Sequence, residues 1–335
     1  MANPISVLNR AADNIRILAA ASVEKAKSGH PGGAMGGADF INVLYSEYLK
    51  YDPKDPSWAG RDRFFLYPGH MAPMLYSQLC LAGKFTLDEL ANLRQWDAPT
   101  TGHPELNVAR GIENTSGPLG QGHVLAIGAA IAAKFLAART GNPTFSRETI
   151  YAYISDGGIE EEISQGGARI ASVLGLDNLI VFYDSNDIQL STKTDVVMNE
   201  DTAAKYRAFG WEVIEIDGND VAQIRCALDA AKKVQGKPTM IIGKCIMGKG
   251  ALKADGSSFE RDCKTHGAPL GGDAFVNTVK NLGAIPSTRS PSSTMSRSST
   301  PSALRSSPPS WRSARPRRRP GPPPIPRRLP SWPTG

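Results

Sequence analysis

The chain has 335 residues, 41% of them hydrophobic, enough to bury a sizeable core in one large domain or two ordinary ones. Its formal charge of +6 is carried by the end of the chain: residues 287–335 contain ten Arg and no Lys, Asp or Glu, and setting those ten aside leaves −4 for residues 1–286. A basic nucleic-acid-binding body is thereby excluded, no apolar run approaches the roughly 18–20 residues of a membrane span, and the amino terminus lacks a signal peptide's basic start and apolar centre.

In chain order, Ile5, Leu8, Ala12, Ile15, Ala19 and Val23 fall at helical spacing and predict an amphipathic first helix. A second helical pattern covers Ala38 to Leu49. Thr86 followed by Glu89 is a capping box opening another helix. His123 to Arg139 is rich in Ala and reads as a closely packed helix. Short runs rich in β-branched and aromatic residues then follow at 150–154, 179–183, 211–216 and 240–246, with helical segments between them at 159–174, 202–209 and 221–233. Strands alternating with helices predict an α/β fold: a doubly wound parallel sheet with helices on both faces. Ligands of such sheets bind at the carboxyl ends of the strands. Cys80, Cys226, Cys245 and Cys263 lack CxxC spacing and read as free thiols of a reducing compartment, so the cytoplasm is the expected location.

Residues 287–335 differ in kind, with twelve Pro and ten Arg in 49 residues and no helical or strand period. They predict a disordered Arg/Pro/Ser-rich tail after a folded domain of residues 1–286. One reading is an arm for nucleic acid or proline-recognition domains. The total lack of Lys, Asp and Glu favours another, a segment translated from GC-rich DNA out of frame.

The chemistry concentrates after two of the predicted strands. Ser155-Asp156-Gly157-Gly158 follows the first, and Asn186 follows the next, thirty residues after Asp156. Carboxylate and amide oxygens at adjacent strand ends can converge on one hard cation, Mg²⁺ or Ca²⁺. Gly157 lets backbone N–H groups approach a diphosphate, and a helix beginning near Gly158 aims its positive end the same way. All five histidines (His30, His70, His103, His123 and His266) adjoin a Gly, which permits turns that present an imidazole at a cleft. Glu160, Glu161 and Glu162 complement the dipole of the following helix.

Asp-Gly followed about 30 residues later by Asn is similar to the signature of thiamine diphosphate enzymes. With SGHPGG, the GH before LYS, TGHPE, TSGPLGQG, SDG…YDSN and THGAPLG in this order, residues 5 to 285 resemble the amino-terminal domain of transketolases. The resemblance implies that Asp156, Asn186 and the carbonyl of Ile188 hold the metal. His70, His266, Gly157 and Asn186 would contact the diphosphate of thiamine diphosphate. Gly117, Pro118 and Leu119 would lie against the thiazolium ring with Leu190 nearby. His30 and His103 would face substrate hydroxyls, and His266 the reactive end of the cofactor. Glu161 would reach across a dimer interface. Three positions depart from the family: Ser155 stands where it usually has Gly, His123 where it has an apolar residue, and Gly166 where it has a second interface Glu. A packing role is expected for His123.

The activity implied is transfer of a two-carbon ketol unit from a ketose phosphate to an aldose phosphate in the pentose phosphate pathway. The family's cofactor-activating Glu and phosphate-clamping Arg residues belong to a pyrimidine-binding domain, and the resemblance stops near Pro286. The expectation is therefore a truncated or frame-shifted product, a subunit pairing with a separate carboxyl-terminal chain, or a repurposed binding protein, with little activity alone. Homodimerisation is the other partner expectation. The α subunit of a 2-oxo acid dehydrogenase and a deoxyxylulose phosphate synthase share the Asp–Asn signature and stand as alternatives, as does a non-catalytic interaction protein.

Overall fold

Five short strands pair in parallel in the order β1-β2-β3-β5-β4, in a computed structural model that describes residues 2–146 and 148–284. They are β1 (Arg63–Leu66), β2 (Ile150–Ser155), β3 (Leu179–Ser185), β4 (Glu212–Asp217) and β5 (Thr239–Lys244). The helices are α1 (Ile5–Ala26), α2 (Pro31–Gly36), α3 (Ala38–Val43), α4 (Ala72–Leu81), α5 (Leu87–Ala91), α6 (Gln121–Thr140), α7 (Pro143–Ser146), α8 (Asp156–Ile159), α9 (Glu162–Val173), α10 (Thr202–Phe209), α11 (Val221–Ala231) and α12 (Gly272–Asn281). The predicted tail 287–335, and the domain boundary at Pro286, lie outside the described residues.

Side-chain alternation divides the sheet between two cores. Phe64, Leu66, Tyr151, Tyr153, Ile180, Phe182 and Ile241 face a layer that includes α1, α3, α4 and α11. Phe65, Ile150, Ala152, Ile154, Val181, Tyr183 and Ile242 face one that includes α6, α9 and α10. Burial on both faces explains the near-continuous apolar runs of β2 and β3. The expected parallel sheet with helices on both faces is what forms.

Several expectations need correction. The first helix is not amphipathic: from Asn14 to Glu24 every residue is buried, because α2, α3, α4, α5, α11 and α12 all pack around it. Arg16 is met internally by the Met35 carbonyl at 3.1 Å and by Asp39, whereas the Asn14 amide is buried without a side-chain hydrogen bond. The Ala38–Leu49 helix breaks after Val43 into one π-helical turn, Leu44–Tyr48, closed by Leu49 N donating to the Leu44 carbonyl at 2.7 Å. The helix after Gly158 is also broken: α8 stops at Ile159, and Glu161, extended at φ −63° and ψ 130°, caps α9 instead. Ser164 Oγ donates to the Gly158 carbonyl at 2.8 Å, and Gln165 to that of Ile159, satisfying carbonyls that a continuous helix would have used. The capping box at Thr86 and Glu89 is present.

Helix α6 also revises the reading of apolar runs. It is 20 residues long, and by length and composition alone it is apolar enough to cross a membrane. Gln, His, Lys and Arg interrupt every contiguous run, yet the Ala-rich average stays high. Here α6 packs through Ala126, Ile127 and Ala130 into the second core.

Candidate cofactor site

The register that aligns Ser155 with Asp184 carries the chain off β2 and β3 side by side. Asp156 leaves β2 and Asn186 leaves β3, and they meet: Asn186 N donates to Asp156 Oδ2 at 3.2 Å. Tyr183 hydroxyl donates to the other oxygen, Oδ1, at 2.6 Å. Ile188 N turns back to Asn186 Oδ1 at 3.1 Å, so the three residues expected at a metal lie in one hydrogen-bonded loop. Burial pushes the Asp156 carboxyl up to about 7, and the neighbouring Asp184 and Asp187 add to the rise against the opposing Tyr183 and Asn186 hydrogen bonds. The three residues line an open cleft of about 580 Å³. Among the described residues no three His, Cys, Asp or Glu side chains are grouped so as to hold a metal ion by themselves. The expected set holds one carboxylate, one amide and one backbone carbonyl, a hard-oxygen set that fits Mg²⁺ or Ca²⁺.

Ser155 has φ −120° and ψ 176°, extended backbone that any residue adopts, so the departure from Gly there is harmless. The glycine that the chain's own packing requires is Gly158, where a Cβ would stand 1.8 Å from Tyr67 Cε1. At Gly157 a Cβ would meet only Leu119 Cδ1, at 3.4 Å, so the space over Gly157 is bounded by Leu119 and otherwise open.

The histidines gather from three distant segments. Ring centroids of His30 and His70 are 5.0 Å apart, those of His70 and His266 5.1 Å, and those of His30 and His266 5.7 Å. His103 joins them over Gly69, where a Cβ would lie 2.8 Å from its Cδ2. Burial lowers all four rings: His30 to about 4, with His266, Arg94 and His103 adding to the effect, and His70 well below the usual imidazole range. They are neutral at pH 7, each with one donor and one acceptor nitrogen. Arg94 Nη2 lies 3.4 Å from His30 Nδ1. A guanidinium can only donate, so His30 Nδ1 accepts and its proton sits on Nε2. His266 Nδ1 and Ser116 Oγ are buried without a protein partner, which fits a site that a polar ligand completes.

Leu190 joins the two halves. It stands in the loop after Asn186, and a Cβ on Gly267 would come within 2.9 Å of its Cδ1 and 3.5 Å of His30 Cδ2. Leu119 and Pro118 are exposed, and a Cβ on Gly117 would touch nothing. Glu161 is half-buried beside Gly120. His123 is not in the cluster. It is fully buried in the first turn of α6 with its ring edge-on to Trp211 at 6.2 Å, in the expected packing role. The sequence reading assigned no role to Arg94, Asp184, Tyr183 or Ser116. YDSN contained two of them and TSGPLGQG a third, but nothing in a lone Arg predicts a through-space partner.

The fold and site together define an α/β domain with a candidate ligand site at the carboxyl ends of its parallel strands, where an acidic pair and a group of buried imidazoles gather. The family of the thiamine diphosphate-binding domain of transketolase matches residues 7–292. The chain belongs to that family. It is 43% identical over 277 residues to transketolase 1 of Escherichia coli, covering 81% of this chain and 41% of that one. It is 42% identical over 273 residues to transketolase 2 of Xanthobacter flavus, covering 80% and 39%. Among solved structures, transketolase from Campylobacter jejuni superposes with a TM-score of 0.80 at 38% identity, over 90% of this chain and 47% of that one. Transketolase from Leishmania mexicana gives 0.79 at 36%, over 91% and 46%. The chain therefore spans about two-fifths of the length of the curated relatives it matches.

Proposed function

We propose that this chain is the diphosphate- and metal-binding half of a transketolase, acting in the transfer of a two-carbon ketol unit between sugar phosphates of the pentose phosphate pathway. The observation that carries the reading is the buried Asp156–Asn186 pair at adjacent strand ends, acidic and without a basic partner. Asp156, Asn186 and the Ile188 carbonyl would hold Mg²⁺ or Ca²⁺. His70, His266 and the open space at Gly157 would receive the diphosphate, while Gly117, Pro118, Leu119 and Leu190 give apolar surface for a ring. Thiamine diphosphate, when bound, supplies the electron sink for breaking and making a bond beside a carbonyl carbon. The chain's part is to orient and to move protons: His30 offers an Nε2 proton, and His103 and His266 add further neutral imidazoles for sugar hydroxyls.

A second protein surface belongs to this reading. Phe135 on α6 is 64% exposed and Val173 on α9 87% exposed, with Leu125, Ile131, Ile163 and Ile170 exposed beside them on the same two helices. Such a face suits a protein partner, here a second copy or a separate chain bearing the pyrimidine-binding domain, with Glu161 directed to it. Four free thiols support the cytoplasm as location. The transketolase names of the relatives favour this function over a 2-oxo acid dehydrogenase subunit, a deoxyxylulose phosphate synthase or an inert interaction protein.

The test is thermal unfolding with Mg²⁺ and thiamine diphosphate against Mg²⁺ alone, for the chain and for Asp156→Ala. At about 100 times the Kd, the cofactor should stabilise the chain by roughly 2.7 kcal/mol and leave the variant unmoved. No shift in the unaltered chain overturns the proposal.

A further inference from the structure

We propose that Asp184 is a positioning residue that turns the side-chain oxygen of Asn186 towards the candidate metal site. The inference rests on the proposed function and assigns a role to a residue outside the ligand set.

Asp184 lies within β3, fully buried, and its Oδ1 accepts from Asn186 Nδ2 at 3.1 Å. The backbone N–H of Ile188 can only donate, so the amide atom it meets is the oxygen and the one facing Asp184 is the NH₂. The amide oxygen then points the other way, where Ile188 N meets it at 3.1 Å and where Asn186 N reaches Asp156 Oδ2 at 3.2 Å. A freely rotating amide would spend part of its time presenting N–H groups to a cation, which repels them.

Asp184 is itself held on two further sides. Tyr153 hydroxyl donates to its Oδ2 at 2.7 Å, and the buried Cys245 thiol is a third hydrogen-bond partner. Tyr153 is fixed in turn by rings and by a missing side chain. It packs on Phe40 and Phe182 with centroids 5.9 and 5.2 Å away. A Cβ on Gly37 would stand 2.2 Å from its hydroxyl oxygen. The line Gly37, Tyr153, Asp184, Asn186 thus runs from the α2–α3 junction to the candidate ligand.

Asp39, buried to the same 2% as Asp156, pairs with Arg16 and Lys249. Among the described residues Asp184 has no ion pair, and every donor to it is neutral. A buried carboxylate held in this way is costly. Orientation of a ligand is a role that accounts for its presence.

The experiment counts Mn²⁺ bound by the full-length chain in the presence of thiamine diphosphate, using electron paramagnetic resonance of free Mn²⁺, which requires no turnover. Asp184→Ala should weaken Mn²⁺ binding by about 10–100-fold, the usual effect of removing a partner that orients a ligand. Asp184→Asn keeps an oxygen for Asn186 Nδ2 and should stay within about threefold of the unaltered chain. Tyr153→Phe deletes one hydroxyl, opens no cavity, and should weaken binding by up to about tenfold even if alanine at 184 prevents folding, which metal-free melting reports. Unchanged affinity in Tyr153→Phe and in a folded Asp184→Ala overturns the inference while leaving the proposed function intact. Equal loss in Asp184→Asn and Asp184→Ala also overturns it, assigning the effect to charge. No Mn²⁺ binding by the unaltered chain overturns the proposed function and the inference together.

Discussion

The two ends of the parallel sheet treat buried charge in opposite ways. At the amino-terminal end each buried acid has a base. Asp62 sits 3.3 Å from Lys50, Glu148 2.7 Å from Arg63, and Glu113 takes Arg61 in a two-pronged pair at 2.7 and 3.0 Å. Burial raises Asp62 and Glu148, and Lys50 and the arginines pull them back. At the carboxyl end Asp156 and Asp184 are as deeply buried, yet their donors are two hydroxyls, a thiol and amides. One end is closed electrostatically and serves the fold. At the other, Asp39 beside the ends of β4 and β5 has its bases in Arg16 and Lys249, but Asp156 and Asp184 have no ion pair among the described residues, a lack that a divalent cation would relieve.

The largest expected effect tests the closed end. Arg61→Met strands the Glu113 carboxylate, whose side chain is 8% exposed. Losing one partner of a buried pair should cost about 3–5 kcal/mol in urea unfolding. Cofactor-dependent stabilisation should be unchanged in the variant that still folds. If it vanished, the two ends would not be separable.

The next effect tests the open end, with metal removed by chelator. The Asp156 carboxyl sits at about 7 against 3.8 for the free group. The folded chain therefore holds a proton that the unfolded chain has released, and stability falls as pH rises from about 4 through 7. Above pH 7 the penalty is complete, up to about 4 kcal/mol. Asp156→Asn should be more stable than the unaltered chain at pH 8 and nearly equal to it at pH 4. Equal stability at both pH values would mean that the end is already balanced.

The sequence disclosed the open end better than the closed one. Asp-Gly after one β-rich run and Asn after the next carry a spacing that survives translation into space, because parallel neighbours start and stop together. The Gly-His dipeptides were visible for the same local reason: each marks a turn. Strand β1 escaped notice, since Arg63–Leu66 is four residues long, and its pairing with β2 is dictated by a segment some 87 residues away, as in the Asp62–Thr149 bond. Arg94 and Asp184 escaped because their roles come from partners that no periodicity announces. The break at Glu160 was hidden by three glutamates that look like one helix start.

His123 gives the smallest of the three effects and the sharpest control, since it separates a perturbed histidine from a functional one. Burial alone lowers it to about 4, and neither ring nitrogen has a protein partner. By that measure it resembles His30, yet it faces Trp211 in the second core rather than the site. The folded state keeps it neutral while the unfolded chain takes up a proton near pH 6.5. Its contribution is thus full above 6.5 and is lost as pH falls towards 4. The loss should be about 2 kcal/mol at pH 5 and approach 3 kcal/mol below pH 4. His123→Met fills a similar volume without a titrating group, so the stability difference between variant and unaltered chain should grow in the variant's favour over that range. Cofactor-dependent stabilisation at pH 7.5 should be the same in both. A pH-independent difference would show that His123 is protonated or partnered in the fold, and a lost cofactor shift would move it from the core into the site.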